Sequence, residues 1–392
     1  MEQQQFVSLL NSAVQNKVSD VHMTSGSPPA FRLKGDLVNV KLPALTEADM
    51  LQILHWCITD KTILQKINEI QDYDGSFEIK NLCRFRYNIF KHRNKIGAVL
   101  RIIPANIPSI DQLSLPQVLK SIAEMQRGLI LVTGTTGSGK SSTLAAMIDH
   151  INSTSSAHVL TVEDPIEFVH NQRKARITQR ELGKDTSTFA NALRSALRQD
   201  PDVILVGEMR DAETIDIALK AAETGHMVFS TVHTTDAIRT IGRLISVFPA
   251  SEQKMVRLRL ADNLVSTISQ RLIRRADGKG MVAAQEIMIT NPSILECIAN
   301  PDLTGQMNEF IEKSRNIIDG KTSGGQTFDM HLTDLYLAKI ITADTALGAS
   351  SNPADFERSL LLAKAEETGE TGNIQLKTNS GIQLDRRSGS TD

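Results

Sequence analysis

Apolar residues in the first hundred positions recur at helical spacing, then alternate every second residue as strands do, and then return to helical spacing before a long alternating stretch. The opening segment reads as an amphipathic helix, and VHM (21–23) and AFRLKGDLVNV (30–40) read as strands around the Gly35-Asp36 turn. Met50, Leu51, Leu54, Ile58, Ile63, Leu64 and Ile67 predict one helix between Glu47 and Ile67. SFEIKNLCRFRYNIFKHRNKIGAVLRII (76–103) alternates like a β-meander. Residues 1–100 are therefore expected to form a small α+β domain. Pro104, Pro108 and Pro116 follow; their fixed φ and missing amide donors place a linker at 101–116.

From Gly128 the pattern changes to short apolar runs, LILVTG, HVLTVE, DVILVG and MVFSTVH, separated by helical stretches. Phe189, Leu193, Ala196 and Leu197 mark one helical face, and Ile215, Ala218, Leu219 and Ala222 another, with Gly225 as a stop. Strands that are apolar on both faces and alternate with helices predict a parallel sheet covered on both sides, an α/β core over 117–290. RLRLADNLVSTISQRLIRR reads as a basic amphipathic helix, MVAAQEIMI as a strand, and 291–362 as a helical subdomain. Residues 363–392 are rich in Glu, Gly, Ser, Thr and Asn without periodicity and read as a disordered tail.

Composition narrows the function classes. The 392 residues hold 43 Lys and Arg against 45 Asp and Glu, so the overall basic excess of a non-specific nucleic-acid binder is missing. Cys57, Cys83 and Cys297 are too widely spaced for a disulfide framework or a paired-cysteine zinc site, which points to reduced thiols and the cytosol. No leader pattern opens the chain, and no run reaches the ~18 apolar residues of a membrane span, so membrane association is expected only through a partner.

The chemistry concentrates in GTTGSGKS, which lies after an apolar strand and before a helix, as a phosphate-binding loop requires. Gly134, Thr135, Thr136, Gly137, Ser138 and Gly139 would present backbone amides, Lys140 would neutralise the β and γ phosphates of ATP, and Ser141 would coordinate Mg²⁺, with Ser142 beside it. Glu208 closes the apolar strand DVILVGE, where a carboxylate faces a ligand crevice and could share the metal. TVEDPIEF adds Glu163, Asp164 and Glu167 at another strand end; either Glu163 or Glu208 would activate water. His233 ends the strand MVFSTV beside the crevice and could sense phosphate, whereas His226 starts it at the far end and suits a structural role. His22 and His331 carry no signal.

GTTGSGKSST, TVEDPIEFVH, VILVGEMRDAET and GHMVFSTVHTTDA resemble the Walker A, Asp box, Walker B and His box of the type II/IV secretion ATPases, above all the type IV pilus retraction ATPases PilT and PilU. SDVHMTSGSPPAFRLKGD, RFRYNIF and AVLRIIP are similar to their N-terminal domain. The resemblance implies a PAS-like domain joined to a RecA-like ATPase domain in a homo-hexameric ring, with ATP held between domains. It implies catalytic roles for Glu163 and Glu208, beside which His233 would act as the phosphate sensor already read from its strand end, and brings Arg84, Arg86 and Arg101 to the phosphates, Arg101 best placed by its RIIP context. Alternating arginines on a strand also fit a solvated face. The four-cysteine zinc module of extension ATPases is missing, which favours retraction; IEKSRNIIDGKTSGGQTFDMHLTDLYLAKIIT and the extended tail after Asn352-Pro353 resemble PilU, and the AIR-type helix motif of PilT is not found nearby, so the resemblance points to a PilU-like accessory retraction ATPase, with a PilT-type primary retraction ATPase as the alternative. Partners would be a PilT-type co-ATPase and an inner-membrane pilus platform protein, at the inner face of the cytoplasmic membrane. A DNA-translocating ATPase should offer more pore aromatics than one Trp and three Tyr, and a non-hydrolysing ring component would not need Lys140, Glu163 and Glu208 together.

Overall fold

The computed structural model describes residues 1–368 except Lys34, Thr59, Asn68, Asn81, Ala105 and 317–323. The chain divides into two compact units: Met1–Val132 with Lys140–Val232 and Ser246–Val265, and Thr133–Gly139 with His233–Ile245 and the chain from Ser266 onward.

The first unit opens with α1 (Gln3–Gln15), β1 (Asp20–Thr24), β2 (Ala30–Leu33), β3 (Asp36–Asn39), α2 (Glu47–Cys57), α3 (Lys61–Gln65), β4 (Asp72–Ile79), β5 (Cys83–His92) and β6 (Lys95–Ile103). The six strands form one antiparallel sheet in the order β3-β2-β1-β6-β5-β4. Alternation along β5 buries Cys83, Phe85, Tyr87 and Ile89 and turns Arg84 and Arg86 to the opposite face. A helix as short as α1 is marginal in water, and burial of Phe6, Leu9, Leu10 and Ala13 in a core shared with Ile53, Leu54, Phe85 and Leu100 stabilises it. The predicted helix between Glu47 and Ile67 is interrupted. Ile58 is extended, and Asp60 accepts a hydrogen bond from the Thr62 amide at 2.8 Å and starts a new helix, so a local cap outweighs the continuing apolar period.

After α4 (Val118–Ala123) come β7 (Gly128–Thr133), α5 (Lys140–Thr154), β8 (His158–Glu163), β9 (Arg176–Glu181), α6 (Phe189–Ala196), β10 (Val203–Val206), α7 (Ala212–Glu223) and β11 (Met227–Val232). These strands lie in the order β7-β11-β10-β8-β9, with parallel pairing of β11 to β10, β10 to β8 and β8 to β9. β10 and β11 are buried at every residue, as expected for strands covered on both faces. Asp211 caps α7, accepting from the Thr214 amide at 2.8 Å, and Gly225 follows the helix at φ 103°. β9 is not legible in the sequence: RITQRE is polar except for Ile177, because it is the edge strand of its sheet.

α8 (Ala237–Ser246) precedes α9 (Ala250–Asn263), which returns to the first unit. Here the chain departs most from its expected pattern. The expected helix through RLRLADNLVSTISQRLIRR stops at Asn263, and Leu264–Arg274 is strand β12, paired antiparallel with β13 (Met281–Ile289) from Ser266↔Ile289 to Arg274↔Met281. Ser266 to Gln270 are all buried, so that stretch shows no strand alternation, and β-branched Val265, Thr267, Ile268 and Ile273 are the local signal. α10 (Pro292–Ala299), α11 (Met307–Lys313), α12 (Phe328–Leu337), α13 (Ala343–Ala349) and α14 (Pro353–Thr368) complete the second unit. α12 packs Phe328, Leu332 and Leu335 against Val282 and Ala284 of β13 and Ile273 of β12. α14 runs six residues past the boundary expected at 362; the rest of the expected tail, 369–392, lies outside the described residues.

Candidate functional site

In the second unit, the loop Gly134–Gly139 curls through three glycines with positive φ: 148° at Gly134, 78° at Gly137 and 86° at Gly139. The tightest place is Gly134, where a Cβ would stand 2.4 Å from Ser138 Oγ and 2.5 Å from the Gln270 carbonyl oxygen. The Ser138 amide donates to the Thr135 carbonyl at 3.2 Å, closing the turn, and Ser138 Oγ and Thr133 Oγ1 are buried with no hydrogen-bond partner among the described residues. A phosphate-sized acceptor fits such a cradle of amides and unpaired hydroxyls.

Gln270 on β12, fully buried, donates its Nε2 to the Ser138 carbonyl at 2.6 Å. Directly opposite on β13, Gln285 donates Nε2 to Gln270 Oε1 at 3.1 Å. The Gln285 amide donates to His331 Nδ1 at 2.9 Å, and the Gln285 carbonyl accepts from Gln326 Nε2 at 3.0 Å. Burial pushes the His331 pKa down to about 4, with Asp334 opposing and Arg315 adding to the shift. Nothing in a single sequence flags this group, since Gln, Gln and His lie far apart along the chain and only strand pairing joins them.

In the first unit, Lys140 begins α5 and is buried. Burial lowers its pKa, and the charges of Glu167 and Glu208 oppose that shift. Gly207 donates its amide to the Val162 carbonyl at 2.7 Å, and a Cβ there would lie 3.2 Å from that oxygen; glycine thus lets β10 and β8 end side by side, with Glu208 and Glu163 on neighbouring strand ends. Glu163 accepts from Thr161 Oγ1 at 2.6 Å and Gln179 Nε2 at 3.1 Å, yet burial, helped by Glu167, raises its pKa overall. Glu208 pairs with Arg210 at 2.6 Å.

Glu181, opposite Glu163 on β9, extends this row of acids, and no motif in the sequence marks it. It receives Arg84 Nη2 at 2.5 Å and Lys184 Nζ at 2.8 Å, and Arg84 also donates to Ser76 Oγ at 2.7 Å. Burial would raise the Glu181 pKa, but the Lys184 hydrogen bond and the charges of Arg84 and Lys184 bring it below the usual range. Arg84 is therefore committed to a carboxylate in this conformation. Arg101 is exposed and pairs with Asp20 at 2.8 Å, and Arg86 lies opposite Arg101 in register.

His233, exposed, follows β11, while His226 bonds through Nδ1 to the Ala221 carbonyl at 2.9 Å and to Thr224 Oγ1 at 3.1 Å, locking the end of α7. Glu286 of β13, also unforeseen, accepts from the Ala237 amide at 2.8 Å at the start of α8; burial, with Asp236 adding its charge, raises its pKa to about 7. Among the described residues no helix is long and apolar enough to cross a membrane.

The family model described as type II/IV secretion system protein matches residues 3–318. The type IV pilus retraction ATPase PilT of Pseudomonas aeruginosa is 45% identical over 89% of this chain and 98% of its own length. The type IV pilus ATPase PilU of the same organism is 35% identical over 94% of this chain and 95% of its own. A crystal structure of the pilus retraction motor PilT with bound ADP superposes with a TM-score of 0.81 at 41% identity, covering 91% of this chain and 99% of that one. These identities correct the preference for PilU: both likenesses run over nearly the whole chain, but that to PilT is 45% against 35% for PilU, whereas the preference rested on C-terminal clues, part of which (317–323) lies outside the described residues.

Proposed function

This chain belongs to the PilT/PilU group of the type II/IV secretion ATPases, and on that premise we propose that it is a type IV pilus retraction motor of the PilT type, with ATP bound on the loop Gly134–Ser141. The observation that carries the reading is this loop: three left-handed glycines lead into the first turn of α5, where a buried lysine stands within the field of two carboxylates. Backbone amides and the helix N-terminus receive the phosphates, and Lys140 offsets their charge. Ser141 and Glu208 would supply hard oxygen donors suited to Mg²⁺, an ion that takes few protein ligands. The ion would spread the charge developing on the β and γ oxygens. Glu163 is the better base: its raised pKa brings it closer to neutral pH, whereas Glu208 is engaged by Arg210. His233 reports on the γ phosphate from the end of β11.

The resemblance supports a homo-hexameric ring in which Arg86 and Arg101 approach a nucleotide, and Arg84 would do so only by leaving Glu181. Retraction force would reach the pilus through an inner-membrane platform protein, with a second ATPase as co-worker. Purified protein should hydrolyse ATP without stimulation by polynucleotide, and Lys140→Ala should abolish turnover, because the phosphate charge is left uncompensated in a partly desolvated site. Wild-type turnover by the correctly folded variant would refute the loop assignment. Polynucleotide stimulation, or intact pilus retraction in cells carrying only Lys140→Ala, would refute the motor assignment.

A further inference from the structure

We infer that Gln270, oriented by Gln285, is a positioning residue that aims the Gly139 amide at the nucleotide phosphates; this rests on the loop assignment above. The peptide between Ser138 and Gly139 is planar and trans, so its carbonyl and its amide point in opposite directions. The Ser138 carbonyl is held by Gln270 Nε2 at 2.6 Å, which turns the Gly139 amide away from β12. Gly139 itself, at φ 86°, sits so close that a Cβ there would come within 3.2 Å of the same Nε2. One side chain therefore sets both the rotation of this peptide and its distance from the strand.

A glutamine amide could equally present its oxygen, which would repel the Ser138 carbonyl. Gln285 favours the productive orientation: its Nε2 donates to Gln270 Oε1 at 3.1 Å, leaving Gln270 Nε2 for the loop, where the Ser138 carbonyl accepts only from a donor. The main chain of Gln285 is fixed in turn, its amide donating to His331 Nδ1 and its carbonyl accepting from Gln326 Nε2, which holds the residue opposite Gln270. The pair is a poor device for stability alone, because Gln285 Oε1 is buried with no partner among the described residues and two apolar residues would avoid that cost. Its value lies in rigidity: with both side chains at most 1% exposed, no water competes for the carbonyl, and the amide is pre-aimed before the phosphate arrives.

The test compares Gln270→Met, Gln270→Glu, Gln285→Met and Lys140→Ala in the full chain. It measures ADP affinity with a fluorescent ADP analogue, KM and kcat for ATP, and thermal unfolding without nucleotide. Loss of one aimed amide to a charged ligand corresponds to about tenfold weaker binding. Both Gln270 variants should bind ADP about tenfold more weakly and raise KM by a similar factor, with a smaller fall in kcat, since the amide binds phosphate in ground and transition states alike. Gln270→Met removes the donor without adding charge and carries the test; Gln270→Glu puts a carboxylate against the Ser138 carbonyl and the phosphates, so it should bind ADP no better than Gln270→Met. Gln285→Met leaves Gln270 in place and should weaken ADP by about threefold, and it decides the matter if the Gln270 variants do not fold. Wild-type ADP affinity in folded Gln270 and Gln285 variants, with Lys140→Ala impaired, would overturn this inference alone. Wild-type affinity in Lys140→Ala would overturn the loop assignment and this inference with it.

Discussion

Replacing His331 with Gln should remove a specific part of the protein's acid sensitivity. His331 is buried, and its Nδ1 accepts the Gln285 amide, so a proton on that atom would have to displace the bond. Its pKa falls from 6.5 to about 4 on folding. The native state therefore binds fewer protons than the unfolded state between those values, and stability fully present above pH 6.5 is lost as pH falls through 4. The complete shift corresponds to about 3 kcal/mol, of which about 2 kcal/mol is already lost at pH 5. A glutamine in its place would keep an acceptor for the Gln285 amide and would not titrate. Hydrogen exchange of peptides carrying β13 and α12 reads opening of this region directly, and taking the ratio of variant to wild type at each pH cancels intrinsic exchange rates. Between pH 7.5 and pH 5 the protection of wild type relative to His331→Gln should fall by about 30-fold. An unchanged ratio would show that His331 is not held neutral by its surroundings and would refute the reasoning.

Glu163→Gln and Glu208→Gln should each keep nucleotide binding and slow ATP hydrolysis by about 10² or more, the larger effect falling on Glu163 if it is the base; single-turnover rates check this, and two unaffected variants would place the base elsewhere. Glu286 titrates with the opposite sign to His331, since its folded pKa of about 7 lies above its ordinary 4.5: its contribution is complete below pH 4.5 and lost as pH rises through 7. Glu286→Gln, which keeps an oxygen for the Ala237 amide, should thus raise the melting temperature much more at pH 8 than at pH 4, and equal shifts at both would contradict it.

The local features of this protein were determined by sequence alone. The glycines at 134, 137 and 139 with Lys140, the apolar runs that became β7, β8, β10 and β11, and the alternation of β5 each express a preference that neighbouring residues settle among themselves: a left-handed φ, a two-sided burial, a one-sided burial. Tertiary structure decided the rest. LVSTISQRLIR has apolar residues compatible with either a helix or a strand, and it is a strand because β13 supplies a partner for every residue from Ser266 to Arg274. RITQRE pairs with β8 despite its polarity, because an edge strand gains its backbone bonds without burying both faces. Arg84 looked like a phosphate ligand until Glu181, 97 residues away, was seen to hold it. Gln270 became meaningful only through Ser138, 132 residues earlier, and Gln285. An amide or a carboxylate has no role in itself; what it does depends on which donor or charge the fold brings within about 3 Å, and that distance is not written in the local chain.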